Sequence, residues 1–299
     1  MATKKVRFDY FLATCQRLHP QRNYLYDLPI NLGKILNQAS LLDIKERTFT
    51  FSDEEAKLQI AEPLLELEHK KVIWGMQFIR VRKNARPAIV REDGSFEYMH
   101  LADDEFIGEE VAALFDSELC IIMIQRNRDS LSPAGIQLFF NKAYPEEEIK
   151  FNPLVPQDTL EKIRKKEYRG ITIGLTNLRS SILTKTSILS LIKGIGPYNM
   201  VNAEIKLSMG YQKKQEGLNP DEILQTVEQL NGLPEVSKLE VSVVEDDLKT
   251  RKYDLIEERI HEEIPFSYTK EEQLTYARVI DRMVDAYNSR RPEIQRFLK

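Results

Sequence analysis

The chain has 299 residues, of which 42% are hydrophobic and 30% are charged, and its formal net charge is −4. This composition is typical of an ordered protein of about two domains and differs from that of disordered chains. The acidic balance argues against a globally basic nucleic-acid coat protein, because phosphate binding depends on Lys and Arg. The longest apolar run, residues 119–124, is too short to cross a bilayer.

In the first half of the chain, hydrophobic periodicity predicts both strands and helices. Residues 119–125 are apolar on both faces, which predicts a central strand covered on each side. Ser132 and Pro133 have the residue types of a helix N-cap and first turn, whereas Asp103, Asp104 and Glu105 suit the acidic first turn of another helix. The remaining predicted elements are strands at 5–11, 48–51 and 72–82, a helix within 30–41 and a turn at 92–95.

In the second half, the pattern alternates between the two types of element. A broad apolar stripe predicts a long helix at 270–288 near the end of the chain. The other predictions are strands at 171–176, 201–209, 239–244 and 253–260, and helices at 185–193 and 220–230. Prolines at 145, 153 and 156 place the domain division there. We therefore expect a mixed α/β (α+β) fold of two domains, 1–155 and 156–299, each a mixed sheet covered by helices.

Sequence motifs give little indication of catalysis. No P-loop, Gly-x-Gly-x-x-Gly motif, zinc-ligand spacing or hydrolase triad is present, so we expect neither cofactor nor metal. Cys15 and Cys120 lie in apolar sequence, which favours reduced, buried thiols. The N-terminal residues also lack the apolar region of a secretion signal, so the sequence predicts a cytoplasmic protein. The lack of catalytic motifs favours a binding protein rather than an enzyme.

Two short motifs leave other functions open. Glu204 and Lys206, in a Glu-x-Lys tripeptide on a predicted strand, are typical of a metal-dependent nuclease core, to which Asp103 or Asp104 could add a ligand. Exposed charges on a strand are the alternative interpretation. Gly194 to Pro197 would suit a helix-hairpin-helix DNA binder, but the strand period of the residues that follow favours a helix C-cap and a turn.

Three basic clusters are the most informative feature, because arginine forks beside helix N-termini bind phosphates. The first lies at the end of the strand 72–82, the second follows the strand 119–125, and the third lies near the domain division. If folding gathers them into one cleft, they form a nucleic-acid-binding surface; the alternative is solvated charge paired with nearby Glu. The candidate binding residues are Arg80, Arg82, Lys83, Arg86, Arg126, Arg128, Lys162, Arg164, Lys165, Lys166 and Arg169.

The order of these features resembles that of RexA-type phage-exclusion proteins. The similarity comprises an N-terminal strand, a helix containing Asn31 and Leu32, the acidic residues 101–105, a strand that leads through a basic residue into a Ser-Pro helix, and a terminal helix containing residues 276–278 (Tyr-Ala-Arg). The resemblance implies a cytoplasmic homodimer that binds double-stranded DNA with little sequence preference and acts with a membrane-protein partner. The proline-rich boundary and Gly194 to Pro197 depart from that pattern.

The residues and the resemblance together predict a non-catalytic DNA-binding protein of a phage-defence system. A metal-dependent nuclease using Glu204 and Lys206 is one alternative. A protein-interaction adaptor or inhibitor, in which the basic clusters are incidental, is the other.

Overall fold

The computed structural model describes residues 2–18, 25–51, 54–83, 87–156, 163–164, 166–176, 202–210, 217–230, 236–245, 249–256, 259–269 and 274–298. Of these residues, 49% lie in strands and 24% in helices. The expectation of mixed sheets covered by helices is therefore wrong: the protein is mostly β, and its largest sheet is a curled antiparallel half-barrel. Within the described ranges, no helix is both long and apolar enough to span a bilayer.

The chain forms two compact units that do not follow a single cut in the sequence. Unit 1 contains residues 1–8, 12–150 and 262–299, and unit 2 contains residues 9–11 and 151–261. The chain thus leaves unit 1 after Lys150 and returns to it at Glu262, and the long final helix belongs to unit 1.

The main sheet has nine strands in the order β10-β1-β9-β8-β5-β4-β3, with β2 and β15 also paired to β1. β8 and β9 supply its most buried part, since β8 is buried from Val111 onward and all of β9 is buried, as an apolar run predicts. The strands are β1 (Ala2–Leu18), β2 (Leu25–Pro29), β3 (Thr48–Phe51), β4 (Glu54–Glu66), β5 (Val72–Arg82), β8 (Ile107–Asp116), β9 (Ile121–Gln125), β10 (Ile149–Pro153) and β15 (His261–Tyr268).

The helices of unit 1 are α1 (Gly33–Leu41), α2 (Pro133–Ala143) and α4 (Tyr276–Phe297). The predicted start of α2 is confirmed, because Ser132 Oγ accepts a hydrogen bond from the Gly135 amide at 3.2 Å. Phe78 of β5 contacts two rings of α2 edge-on, with centroids 5.3 Å from Phe139 and 6.0 Å from Phe140. α2 therefore packs, through these aromatic rings, on the face of the sheet that carries the Phe78 side chain.

A buried carboxylate attaches α4 to the sheet. Asp116 ends β8 and is fully buried; its Oδ1 accepts the amides of Glu118 and Leu119 at 2.7 and 3.1 Å. Its Oδ2 accepts the Tyr287 hydroxyl at 2.8 Å and Arg291 Nε at 2.7 Å. One side chain thus closes the β8–β9 turn and fixes the helix, with every acceptor direction used.

A second contact of α4 lies near its N-terminus. The Tyr276 hydroxyl donates to Glu62 of β4 at 3.1 Å and lies against the main chain of Gly75 in β5. A Cβ at residue 75 would lie 2.5 Å from that hydroxyl oxygen and 2.8 Å from Leu64 Cδ1, so the close approach depends on glycine. Burial, with the Glu62 carboxylate close by, raises the pKa of Tyr276 well above its ordinary value.

Unit 2 contains an antiparallel four-stranded sheet in the order β12-β11-β13-β14, with α3 (Pro220–Leu230) packed on one face. Alternation sends Ile171, Ile173 and Val241 into the core beneath Val227 of α3, as half-buried strands require. The strands are β11 (Glu167–Thr176), β12 (Asn202–Ser208), β13 (Val236–Val244) and β14 (Thr250–Asp254).

Several element predictions hold, and others do not. The bounds of β3, β5 and α3 are those predicted, and the strand predicted at 201–209 is confirmed as β12. The helix expected to start at Asp103 is wrong, because residues 103–104 form a turn before β8. The strand predicted at 253–260 ends at Asp254, and α4 runs from 276 to 297 rather than from 270 to 288. The predicted helix 185–193 and Gly194 to Pro197 lie outside the described residues.

Candidate functional site

The first basic cluster lies where β5 ends and is largely engaged by other groups of unit 1. Arg80 and Arg82 follow Phe78 on the face that carries α2, and both donate to the Asp129 carbonyl, at 3.3 and 3.1 Å. Arg82 also pairs with the Asp129 carboxylate at 3.1 Å. Lys83 pairs with Glu55 at 2.8 Å, and Arg86 lies outside the described residues. Arg80 and Arg82 thus hold the loop that precedes α2.

The second cluster is that loop, residues 126–130, between β9 and α2. The Asn127 side chain donates to the Glu110 carbonyl at 2.9 Å, and Ser130 Oγ donates to the Glu109 carbonyl at 2.6 Å. The Arg126 amide donates to the Arg7 carbonyl of β1 at 2.8 Å. The loop is therefore fixed at both ends, while the Arg126 and Arg128 side chains are exposed.

The third cluster belongs to unit 2, and two of its three described members pair with carboxylates. Lys166 pairs with Glu245 at 3.0 Å, and Arg169 pairs with Glu167 at 3.5 Å. Hydrogen bonds from Tyr253 and then from Lys166 lower the pKa of Glu245. Arg164 is exposed. Lys162 and Lys165 lie outside the described residues.

The structure brings together the first two clusters, which we call the arginine end of unit 1. Arg80 and Arg82 come from β5, and Arg126 and Arg128 come from the loop after β9, some 45 residues later in the chain. Within this group, Arg82 pairs with the carboxylates of Asp129 and Glu109. Arg80 and Arg82 are thus joined to the loop that carries Arg126 and Arg128, immediately before the N-terminus of an 11-residue helix.

The Glu-x-Lys motif of the nuclease alternative lies on β12, on the sheet face opposite α3. Glu204 is exposed and pairs with Lys238 at 3.4 Å; Gly174, which lies between them on β11, has no side chain to block this contact. Asp103 and Asp104 are exposed in unit 1. Across the described part of the chain, no three His, Cys, Asp or Glu side chains are placed to hold a metal ion. These contacts are those of charged strand residues in an ion pair.

The cysteines lie in unit 1, Cys15 buried and Cys120 half-buried. Burial raises the pKa of both thiols, which lowers their thiolate fraction and hence their reactivity at neutral pH.

One exposed feature was not predicted from the sequence. Residues 88–98 form a two-stranded antiparallel ribbon of β6 (Ala88–Val90) and β7 (Phe96–Tyr98), whose residues are all exposed. The turn at 92–95 was recognised, and an Asp-Gly pair between β-prone residues is a strong hairpin signal. That signal could have predicted the ribbon.

The fold and these contacts define a mostly β protein of two units, with an arginine-rich loop and an exposed ribbon in unit 1. The chain belongs to a family of unknown function, DUF6731, whose model matches residues 1–295. No curated protein matches it.

Proposed function

We propose that the protein binds the phosphate backbone of double-stranded DNA, without catalysis, through the arginine end of unit 1. The observation that carries this proposal is the pair Arg126 and Arg128, exposed on a fixed loop. The loop main chain is held by β1 and by Arg80 and Arg82, and its Asn127 and Ser130 side chains are bonded to β8. Because the loop is already fixed, binding of a phosphate orders the two arginine side chains without an added cost of ordering the main chain.

The neighbouring helix supports the same ligand class. α2 begins just beyond residue 130, and the positive end of a helix dipole favours anions. Pro133 has no N–H and Ser132 caps the Gly135 amide, so this support comes from the dipole rather than from free amides. Contacts with phosphate alone carry no sequence information, so the proposed binding has little sequence preference.

The ion pairs reduce the number of predicted basic residues that can contribute fully to phosphate binding. Arg82, Lys83, Lys166 and Arg169 have carboxylate partners, so they contribute less than exposed arginines would. We therefore expect few phosphate contacts. The salt dependence of log K then has a slope of about −0.9 per contact, smaller in total than that of dedicated repressors.

The experiment is a titration of a short, fluorescently labelled DNA duplex with the full chain. Binding is measured by fluorescence anisotropy at several salt concentrations, with and without Mg²⁺. In Arg126→Glu/Arg128→Glu the affinity should fall for every duplex sequence, and the salt slope should decrease by about 2. The matched control, Arg251→Glu/Arg282→Glu, makes the same change in net charge at exposed positions elsewhere and should retain most of the affinity.

Three results would contradict the proposal. No binding at low salt would remove it. An equal loss in the control variant would mean that net charge alone governs the affinity. Cleavage of the duplex with Mg²⁺ would favour the nuclease alternative, which Glu204→Gln then tests.

A role in phage exclusion rests on the resemblance to RexA-type proteins and belongs to the same proposal, as do the homodimer, the membrane-protein partner and the cytoplasmic location. If the role is correct, cells that make the protein should plate phage less efficiently than cells that make Arg126→Glu/Arg128→Glu. Equal plating by both would separate DNA binding from defence.

A further inference from the structure

The ribbon of residues 88–98 extends from one end of the main sheet. Arg82, the last residue of β5, is paired with Ile107, the first residue of β8, so the chain between them is an insertion into a hairpin. Within it β6 and β7 pair only with each other among the described strands. At the tip Gly94 has φ +82°, and Asp93 Oδ1 accepts the Ser95 amide at 2.9 Å. The ribbon therefore has a defined turn and register.

The two faces of the ribbon differ in chemistry. Cross-strand pairing places Val90 opposite Phe96 and Ala88 opposite Tyr98, and alternation sends these four side chains to the same face. The Phe96 and Tyr98 rings contact each other edge-on at 6.1 Å. The other face carries Ile89 and Glu97, and Glu97 pairs with Arg91. One face is thus apolar and aromatic, and the other is mixed.

The apolar face lies in solvent. Val90 is 71% exposed, Phe96 63% and Tyr98 62%. Isolated apolar residues on a surface are ordinary, but a contiguous group on a protruding two-stranded ribbon marks an interaction site. Two strands alone are also marginally stable in water, so a partner that covers this face would stabilise the ribbon as well.

Charge identifies the class of partner. Residues 87–106, which contain the ribbon and the chain after it, carry Arg91 against six carboxylates, a formal net charge of −5. Such a segment repels nucleic acid and anionic lipid headgroups and attracts cationic groups. The six carboxylates are those of Glu92, Asp93, Glu97, Asp103, Asp104 and Glu105.

We propose that the apolar face of the ribbon is a docking surface for another protein, which offers apolar or aromatic side chains flanked by Lys and Arg. Phe96 and Tyr98 serve as the anchors, since aromatic side chains dominate the centres of interfaces. The carboxylates around them set orientation and association rate. This surface is separate in residues and in sign of charge from the arginine end, so it does not depend on DNA binding.

The test is a selection of random short displayed peptides on the full chain, with counter-selection on Phe96→Ser/Tyr98→Ser. Both side chains are exposed, so this variant should fold; an unchanged unfolding temperature of unit 1 checks that it does. Enriched peptides should combine aromatic or aliphatic residues with a net positive charge. A synthetic peptide from the selection should bind the variant about thirtyfold more weakly, as for the loss of an anchor.

The charge argument has its own variant. Glu92→Lys/Asp104→Lys changes exposed carboxylates and leaves the anchors and the tip hydrogen bonds in place. Affinity for the selected peptide should fall, and the fall should diminish as salt is added. If this variant binds the peptide as the wild type does, or if neutral or acidic peptides are enriched, the proposed partner chemistry is wrong.

Sedimentation of the chain alone tests whether a second copy of the chain, rather than a different protein, covers the apolar face of the ribbon. Self-association that Phe96→Ser/Tyr98→Ser abolishes would mean that a second copy covers the face, which overturns the proposal. Loss of duplex DNA binding in the same variant would also overturn it, because the ribbon would then serve the nucleic acid.

Discussion

Arginines occur in two very different settings in unit 1. Arg291 of α4 lies against the fully buried Asp116, at 2.7 Å, and also pairs with Glu118. Arg126 and Arg128, by contrast, extend into solvent from a loop that is fixed through its main chain and through Asn127 and Ser130. The first guanidinium group holds the fold together, whereas the other two lie at the surface, where a ligand can reach them.

The local density of arginine in the sequence does not distinguish a structural arginine from one that can bind a ligand. The partner of the guanidinium group, and the burial of that partner, do. A buried ion pair is costly to break, because the remaining charge stays desolvated. An exposed arginine can be replaced with little effect on stability. Substitutions at the two kinds of site should therefore differ widely in their effect on stability.

Removal of the buried carboxylate should have the largest effect. In Asp116→Ala the Tyr287 hydroxyl, Arg291 and two turn amides lose their acceptor at once, so unfolding should become easier by about 3–5 kcal/mol. Urea unfolding followed by tryptophan fluorescence measures this, since Trp74 lies on β5 of the same sheet. Asp285→Ala, an exposed carboxylate on the same helix, should change stability by less than about 0.5 kcal/mol. A similarly small change in Asp116→Ala would contradict the attachment of α4 to the sheet through Asp116.

A methyl group between α4 and the sheet should destabilise unit 1 to an extent similar to the loss of the Tyr287 hydroxyl. Gly75→Ala places a carbon 2.5 Å from the Tyr276 hydroxyl oxygen, and overpacking of this kind costs about 1–3 kcal/mol. Tyr276→Phe removes that oxygen, so the double variant should lose less stability than the two single variants combined. Simple additivity in the double-mutant cycle would show that the hydroxyl is not the cause.

The Tyr287 hydroxyl contributes one charge-assisted hydrogen bond, to Asp116 at 2.8 Å. Tyr287→Phe keeps the buried ring and removes this bond, so we expect a loss of about 1.5–3 kcal/mol. The same urea titration measures it. In the Asp116→Ala background the substitution should have almost no further effect, because the acceptor is already gone; a full second loss would contradict the network.

Two arginines of the arginine end allow a direct comparison. Arg82→Ala removes the contacts with Asp129 and should destabilise unit 1 by about 1 kcal/mol, since the pair is partly exposed. Arg128→Ala should change stability by less than about 0.5 kcal/mol and yet weaken DNA binding. Thermal unfolding and the anisotropy titration together decide this. The opposite order of effects would exchange the roles of the two residues.

The smallest effect concerns acid. Hydrogen bonds from Tyr253 and Lys166 lower the pKa of Glu245 below its ordinary value of 4.5. The ionised carboxylate therefore stabilises unit 2 above the unfolded pKa, and this contribution is lost as the pH falls through the lower folded pKa. Tyr253→Phe should lower stability near neutral pH and flatten the acid side of a stability-against-pH curve. An unchanged acid slope would contradict the assignment.

Part of the fold follows from local sequence, and part does not. β5 and α3 follow from hydrophobic period, and Ser132 from its capping chemistry. β4 was missed because Glu, Leu, Ala, Gln and Lys dominate it, and these residues favour helices. Bulges near Leu58 and Pro63 also break its period of two. Non-local pairing overrides such propensities, and this is why the proportion of strand was underestimated.

For the candidate site, the sequence identified the basic residues but not their partners. Lys83 meets Glu55, which is 28 positions away, and Lys166 meets Glu245, which is 79 positions away. Pairings at such separations are produced by the sheet register, which a single sequence does not contain. The contact between Arg82 and Asp129 likewise depends on the order of the strands in the sheet.

The anchoring of α4 also has a consequence for protein synthesis. Tyr287 follows its partner Asp116 by 171 positions, and nearly all of unit 2 is encoded between them. At about 5–20 residues per second, a ribosome needs roughly 10–35 s to pass from one to the other. During that interval the β8 carboxylate and the apolar surface beside it have no helix to cover them, so a nascent chain is most exposed to aggregation and to chaperones at this stage.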